Sequence, residues 1–339
     1  MSIEALKEDL KNGNPGKLYL FYGPEEYLKK YYMESIEKRI LSEEYKGFNR
    51  IVLEGRVETG KIMDCCDTLP VFSDRKLVVV KNSGLMKSGR KSGGEGKTKP
   101  QNDDLASYLQ SLPDYVCLIF YEEEIDKRVK LVDTVKKHGL VVEFSFQKPA
   151  ELVKWVVKVF KSFQKEIDNS TAAQLVDNCE QGMNELLNEI RKLELYTGER
   201  KKVTGEDIDR VCTRTVKSRI FDLTDAIAEK NTTRALKLFD DMIVLKEPIP
   251  RILFMITRQF RHILEMKLIT GSGASLDSAA SRMGITTYAA GKIQKQMNRF
   301  TEGMLKQAIE ESLELDIAIK TGKLNDRTAA ELLITKYAN

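Results

Sequence analysis

Five short apolar runs, all before Pro149, constrain this chain more than any other feature of it. They are Lys17–Tyr22, Ile51–Leu53, Leu77–Val80, Val116–Tyr121 and Val141–Phe144. Each reads as a strand, and none shows the strict alternation of a strand with one wet face. Continuous apolar runs of this kind suit a parallel sheet covered on both faces. Helical stretches lie between them, including about 25–41 and 60–69; Pro70 stops the second, because proline cannot continue a helix. Repeated strand–helix alternation predicts a doubly wound α/β domain over residues 1–146, with a five-stranded parallel sheet and right-handed crossovers.

After Pro149 the strand signals cease. Residues 147–212 read as a small domain of three or four helices, the last opening at Thr204 with Glu206 and Asp207 in its acidic first turn. Residues 213–339 read as a second all-helical domain. There Ile249, Ile252, Leu253, Ile256, Phe260, Ile263 and Leu264 form one apolar stripe at helical spacing. Gly271-Ser272-Gly273 breaks that helix, and Ser275, Thr286 and Asn325 are placed to begin others. Two or three domains also fit 339 residues.

Composition narrows the class further. With 42% hydrophobic and 31% charged residues, the chain is folded and helix-rich, not disordered. No stretch approaches the roughly 18 apolar residues of a membrane helix. The charged start, Met1 to Glu8, lacks the apolar centre of a secretory signal, so a cytoplasmic protein is expected. The 55 basic and 51 acidic residues balance to +4, too even for the whole surface to attract nucleic acid, although a local basic face fits. Five cysteines without a CxxC pair read as free thiols, with no metal site.

A strand, a glycine and a helix at 18–40 occupy the place of a phosphate loop in an α/β nucleotide binder. That loop needs G-x-x-x-x-G-K-[ST]: glycines for close amide approach, lysine for charge and a hydroxyl for magnesium. Here the stretch is Gly23-Pro24-Glu25-Glu26-Tyr27-Leu28-Lys29-Lys30. Leu28 replaces the second glycine, Lys30 replaces the hydroxyl, and Glu25 and Glu26 add negative charge where polyphosphate would sit. The loop therefore reads as degenerate, and no nucleotide cofactor is expected. Glu122-Glu123-Glu124, where an ATPase would hold magnesium, reads as a solvated strand-end turn. His138 suits a helix end beside Gly139, His262 reads as a surface side chain, and no catalytic motif occurs.

Two further stretches stand out. Ser88 to Lys97 is a Gly/Ser/Lys loop, either a solvated insertion or a flexible phosphate-contacting arm within 83–101. Leu69-Pro70-Val71-Phe72 falls in the turn between a helix and the third strand. Spacing alone favours tucking Val71 and Phe72 into the core. The alternative is an exposed anchor of the kind that dominates interface energy.

In their order, four segments resemble the delta subunit of bacterial DNA polymerase III: Lys17–Leu28, Leu69–Val80, Asn184–Leu193 and Leu315–Gly322. The resemblance spans essentially the whole chain. It implies an AAA+-like α/β domain, a small helical lid and a helical collar that joins five subunits into a ring. It also implies a lost nucleotide site, in agreement with Leu28 and Lys30. The lid turn Gly182-Met183-Asn184 lacks the arginine of a working AAA+ lid, and there is no Ser-Arg-Cys finger between the fourth and fifth strands. In that family a hydrophobic pair enters a pocket on the ring-shaped sliding clamp; carried over, the pair is Val71 and Phe72, flanked by Leu69 and Pro70.

The partners implied are the beta sliding clamp, the gamma/tau and delta-prime subunits of a hetero-pentameric loader, and primed DNA through the assembled complex. The chain would be an accessory subunit of a DNA-directed DNA polymerase with no catalysis of its own. An active AAA+ ATPase and a stand-alone DNA-binding regulator are the alternatives. A basic stripe of Lys292, Lys295 and Arg299, with Arg258 and Arg261 on an earlier helix, is the candidate DNA contact, against a merely solvated face.

Overall fold

The computed structural model describes residues 3–88, 99–179, 182–213 and 216–339, and divides into two compact units. Most of the Ser88–Lys97 stretch lies outside the described residues.

The first unit holds all five strands and residues 3–146 of the described chain, together with Gly182–Asn184. Its elements run α1 (Ile3–Lys11), β1 (Leu18–Tyr22), α2 (Glu26–Ile40), α3 (Lys46–Asn49), β2 (Arg50–Glu54), α4 (Thr59–Asp67), β3 (Lys76–Lys81), α5 (Lys99–Tyr108), β4 (Val116–Tyr121), α6 (Lys130–His138) and β5 (Leu140–Glu143). The strands lie in the order β2-β3-β4-β1-β5, with every pairing parallel. It is the doubly wound, five-stranded parallel sheet expected from the sequence, with helices on both faces.

Alternate residues of the central strands feed two separate cores, as the period of two requires. Leu18, Leu20, Val78, Val80, Leu118 and Phe120 pack with Ile62 and Cys66 of α4, Leu105 of α5 and Val135 of α6. Tyr19, Phe21, Leu77, Val79, Cys117 and Ile119 pack with Leu6 of α1 and Tyr32, Met33 and Ile36 of α2. Neither face is wet, which is why β1, β3 and β4 show no polar alternation. Gly139 follows His138 at the end of α6, as expected, and any side chain there would run into the Leu18 carbonyl.

The second unit is helical. It begins with α7 (Pro149–Ser162), α8 (Asn169–Asn178), α9 (Met183–Thr197, whose first two residues belong to the first unit) and α10 (Gly205–Val211). These share a core of Val156, Phe160, Leu175, Leu186, Ile190 and Ile208. Thr204 and Asp207 form a reciprocal capping box at the start of α10. The remaining helices are α11 (Val216–Ala228), α12 (Thr232–Val244), α13 (Ile249–Gly271), α14 (Leu276–Met283), α15 (Thr287–Met297), α16 (Glu302–Lys320) and α17 (Asp326–Tyr337). The apolar stripe of α13 is their common core, and Ser275, Thr286 and Asn325 cap α14, α15 and α17 through their side chains. No described helix is long and apolar enough to cross a membrane.

Candidate functional site: a sealed phosphate loop and an exposed apolar turn

The N-terminus of α2 is where a triphosphate would seat, because its free N–H groups and helix dipole attract anions. Here Glu25 occupies that role. Its carboxylate is buried, caps α2 by accepting from the Tyr27 N–H (3.3 Å), and also accepts from the Met183 N–H (3.3 Å). Lys29, the one phosphate-loop lysine retained, is also buried. Its ammonium pairs with Glu26 (3.0 Å), donates to the Glu122 carbonyl (3.2 Å) and lies 4.8 Å from the centre of the Tyr121 ring.

Leu28 packs against the apolar core, while Lys30 points to solvent near Glu34. Gly23 has φ +117, and a Cβ there would lie 2.5 Å from the Phe144 carbonyl oxygen. The glycine is therefore required by the neighbouring strand end rather than by a phosphate. Glu25 and Lys29 both have partners within the chain.

Glu122 departs from the solvated turn expected of the acidic cluster. Only Glu123 and Glu124 are exposed. Glu122 is buried and accepts from the Ser83 N–H (2.9 Å) and hydroxyl (2.6 Å), and burial raises its carboxyl above the ordinary value. The strand periodicity continues one residue past β4 and turns this carboxylate inward, which composition alone does not reveal. His262 also departs from the surface position expected of it: it is half-buried in the wall of a groove with Met255 and Ile285. Burial pushes the thiols of Cys66, Cys117 and Cys179 up to about 12, leaving them inert.

The turn after α4 is built in the opposite way. α4 ends at Asp67, before the expected residue 69, because Leu69 precedes proline and Thr68 is already extended. The ammonium of Lys76 reaches back from β3 to the Cys65 (2.6 Å) and Thr68 (2.7 Å) carbonyls at this helix end. Lys76 is itself buried, which lowers its pKa, and its charge suits the negative end of the dipole.

Beyond that anchor the chain turns outward. Leu69 is 69% exposed, Val71 39% and Phe72 82%, with Pro70 half-buried between them. Burial of Val71 and Phe72 in the core, which spacing alone favoured, is thus overturned. The helix ends early and the buried Lys76 takes the inward position. Phe72 adopts φ +50, a left-handed conformation that is costly for an aromatic residue. Its ring lies 5.6 Å from that of Tyr45.

Sequence reasoning missed Asn49. Its buried side-chain amide accepts from the Val71 N–H (2.7 Å) and donates to the Val71 carbonyl (2.8 Å). A lone asparagine before a strand reads as a turn residue, and no local signal tied it to position 71.

The basic residues do not form one free stripe. Lys292 lies over the rings of Tyr288 (4.8 Å) and Phe221 (5.4 Å). Arg299 lies past the end of α15 and pairs with Glu229 at 3.0 Å. Lys295, Arg258 and Arg261 are exposed.

Comparison with known proteins bears on the whole chain. A family model described as "DNA polymerase III, delta subunit" matches residues 19–145, and one described as "DNA polymerase III delta subunit, C-terminal domain" matches residues 217–337. The chain belongs to the DNA polymerase III delta-subunit family. Within that family it is 29% identical over 331 residues to DNA polymerase III subunit delta of Bacillus subtilis (strain 168), covering 96% of this chain and 94% of that one. It is 24% identical over 279 residues to the probable subunit delta of Aquifex aeolicus (strain VF5), covering 79% and 76%. The solved structure of the Bacillus subtilis DNA clamp loader delta protein covers 99% of both chains at 27% identity, with a TM-score of 0.51.

Proposed function

We propose that this chain is the clamp-opening subunit of a clamp loader and hydrolyses no ATP itself. Val71 and Phe72, flanked by Leu69 and Pro70, enter a pocket on the beta sliding clamp. The observation that carries this reading is the 82% exposure of Phe72, held outward in a strained backbone conformation on a rigid base. Aromatic side chains of that kind dominate interface energetics. A chain that binds the sprung ring better than the closed ring shifts the clamp toward its open form, by no more than that difference in affinity.

The internal partners of Glu25 and Lys29 support an accessory role without nucleotide turnover. Within the second unit, residues 147–212 serve as the lid and 213–339 as the collar that joins the gamma/tau and delta-prime subunits. Leu313 and Ile317, exposed and four residues apart on α16, and Leu332 on α17 offer the collar apolar surface for neighbours. Primed DNA is contacted in the assembled complex through Arg258, Arg261 and Lys295, because Lys292 and Arg299 are already engaged within the chain.

Titration of the isolated chain against purified clamp tests the reading. Saturable binding without nucleotide is expected, and its absence would refute the proposal.

A further inference from the structure

We propose that Asn49 is a positioning residue for clamp binding: it holds Val71 in place so that Phe72 is presented before the partner arrives. The inference rests on the clamp-binding reading of residues 69–72. Asn49 ends the four-residue helix α3, 22 positions before Val71, and is only 1% exposed. Its Oδ1 accepts from the Val71 N–H, while its Nδ2 donates to the carbonyls of Val71 (2.8 Å) and Tyr45 (3.1 Å). A side-chain amide thus pairs with the backbone of residue 71 as a neighbouring strand would, through both its donor and its acceptor.

The other side of Phe72 is fixed independently. The Ser73 hydroxyl donates to the Arg75 carbonyl (3.0 Å), and Arg75 donates to the carbonyls of Pro15 (2.7 Å) and Gly16 (2.9 Å). Between these two anchors Phe72 is held at φ +50, a conformation that a free apolar turn would not keep. An exposed loop that must order on binding loses affinity to that ordering, so a pre-ordered anchor binds more tightly with no added contact. The chemistry is particular to asparagine. Aspartate at this position would face two carbonyl oxygens without a donor, and leucine fills similar space with no polar atom. Glutamine would displace the amide by one methylene.

Two measurements decide it. Native-state hydrogen exchange on the unaltered chain should show the Val71 amide protected despite its place in an exposed turn; rapid exchange there would overturn the proposal. Clamp titrations should then compare the parent, Asn49→Leu, Phe72→Ala and the double variant. Asn49→Leu is expected to weaken clamp binding about tenfold when Phe72 is present and to have little further effect in the Phe72→Ala background. A purely structural role would weaken both backgrounds equally, which would overturn the positioning claim. Parent-like binding by Asn49→Leu beside weakened binding by Phe72→Ala would also overturn it, leaving the clamp reading intact. Parent-like binding by Phe72→Ala would remove that reading and the inference together.

Discussion

The two helix ends that matter in the α/β unit are both closed by a buried side chain of opposite charge, with opposite consequences. At the positive end of α2, Glu25 takes the place an anion would occupy. At the negative end of α4, Lys76 takes the last carbonyls. The first cap fills the helix end with an internal carboxylate, which accepts from the Tyr27 and Met183 N–H groups. The second anchors a helix end beyond which Leu69, Val71 and Phe72 face outward. What separates them is the following segment. α2 continues into the core through Leu28, Tyr32 and Met33, whereas α4 gives way to Leu69-Pro70-Val71-Phe72. The same electrostatic device can therefore precede a segment that enters the core or one that turns to solvent.

The largest expected effect lies at the open end. Phe72→Ala should weaken clamp binding roughly thirtyfold, about 2 kcal/mol, with an unchanged thermal melt because the ring is exposed. Isothermal titration beside calorimetry checks both halves, and a fallen melt would mean that the ring serves the fold. At the sealed end the contrast should invert. Lys29→Met should leave clamp affinity unchanged and cost about 1–3 kcal/mol of stability, because it removes an internal cation and leaves the Glu122 carbonyl without that donor. Millimolar ATP should not shift the melt of either chain, since only a ligand of the native state raises it.

The smallest effect concerns Glu122. Its carboxyl is raised in the folded state, so ionising it opposes folding. That penalty is full above the raised value and vanishes below the unfolded value of 4.5. Glu122→Gln should therefore melt higher than the parent near neutral pH, and the gap should close as pH falls toward 4.5. A gap independent of pH would show that packing, not charge, is responsible.

Much of this was legible in the sequence. Period and proline placement gave the five strands, and the caps at Ser275, Thr286 and Asn325 fell where polar residues precede apolar periods. The defects at Leu28 and Lys30 were visible because a phosphate loop has strict local chemistry. Three features were not, and each depends on long-range geometry. Exposure of Phe72 follows from Lys76 reaching back to carbonyls eight and eleven residues earlier. The hold on Val71 comes from Asn49, in another element. Separation of the basic residues is set by Phe221 and Glu229, some 70 positions away.

The most direct test of the central claim is ring opening by the isolated chain. A clamp carrying a donor and an acceptor fluorophore across one subunit interface would be titrated with the chain, with and without ATP. Energy transfer should fall saturably without nucleotide, ATP should leave the curve unchanged, and Phe72→Ala should move it to higher concentration. A fall in transfer only when ATP is supplied to the isolated chain would contradict the account.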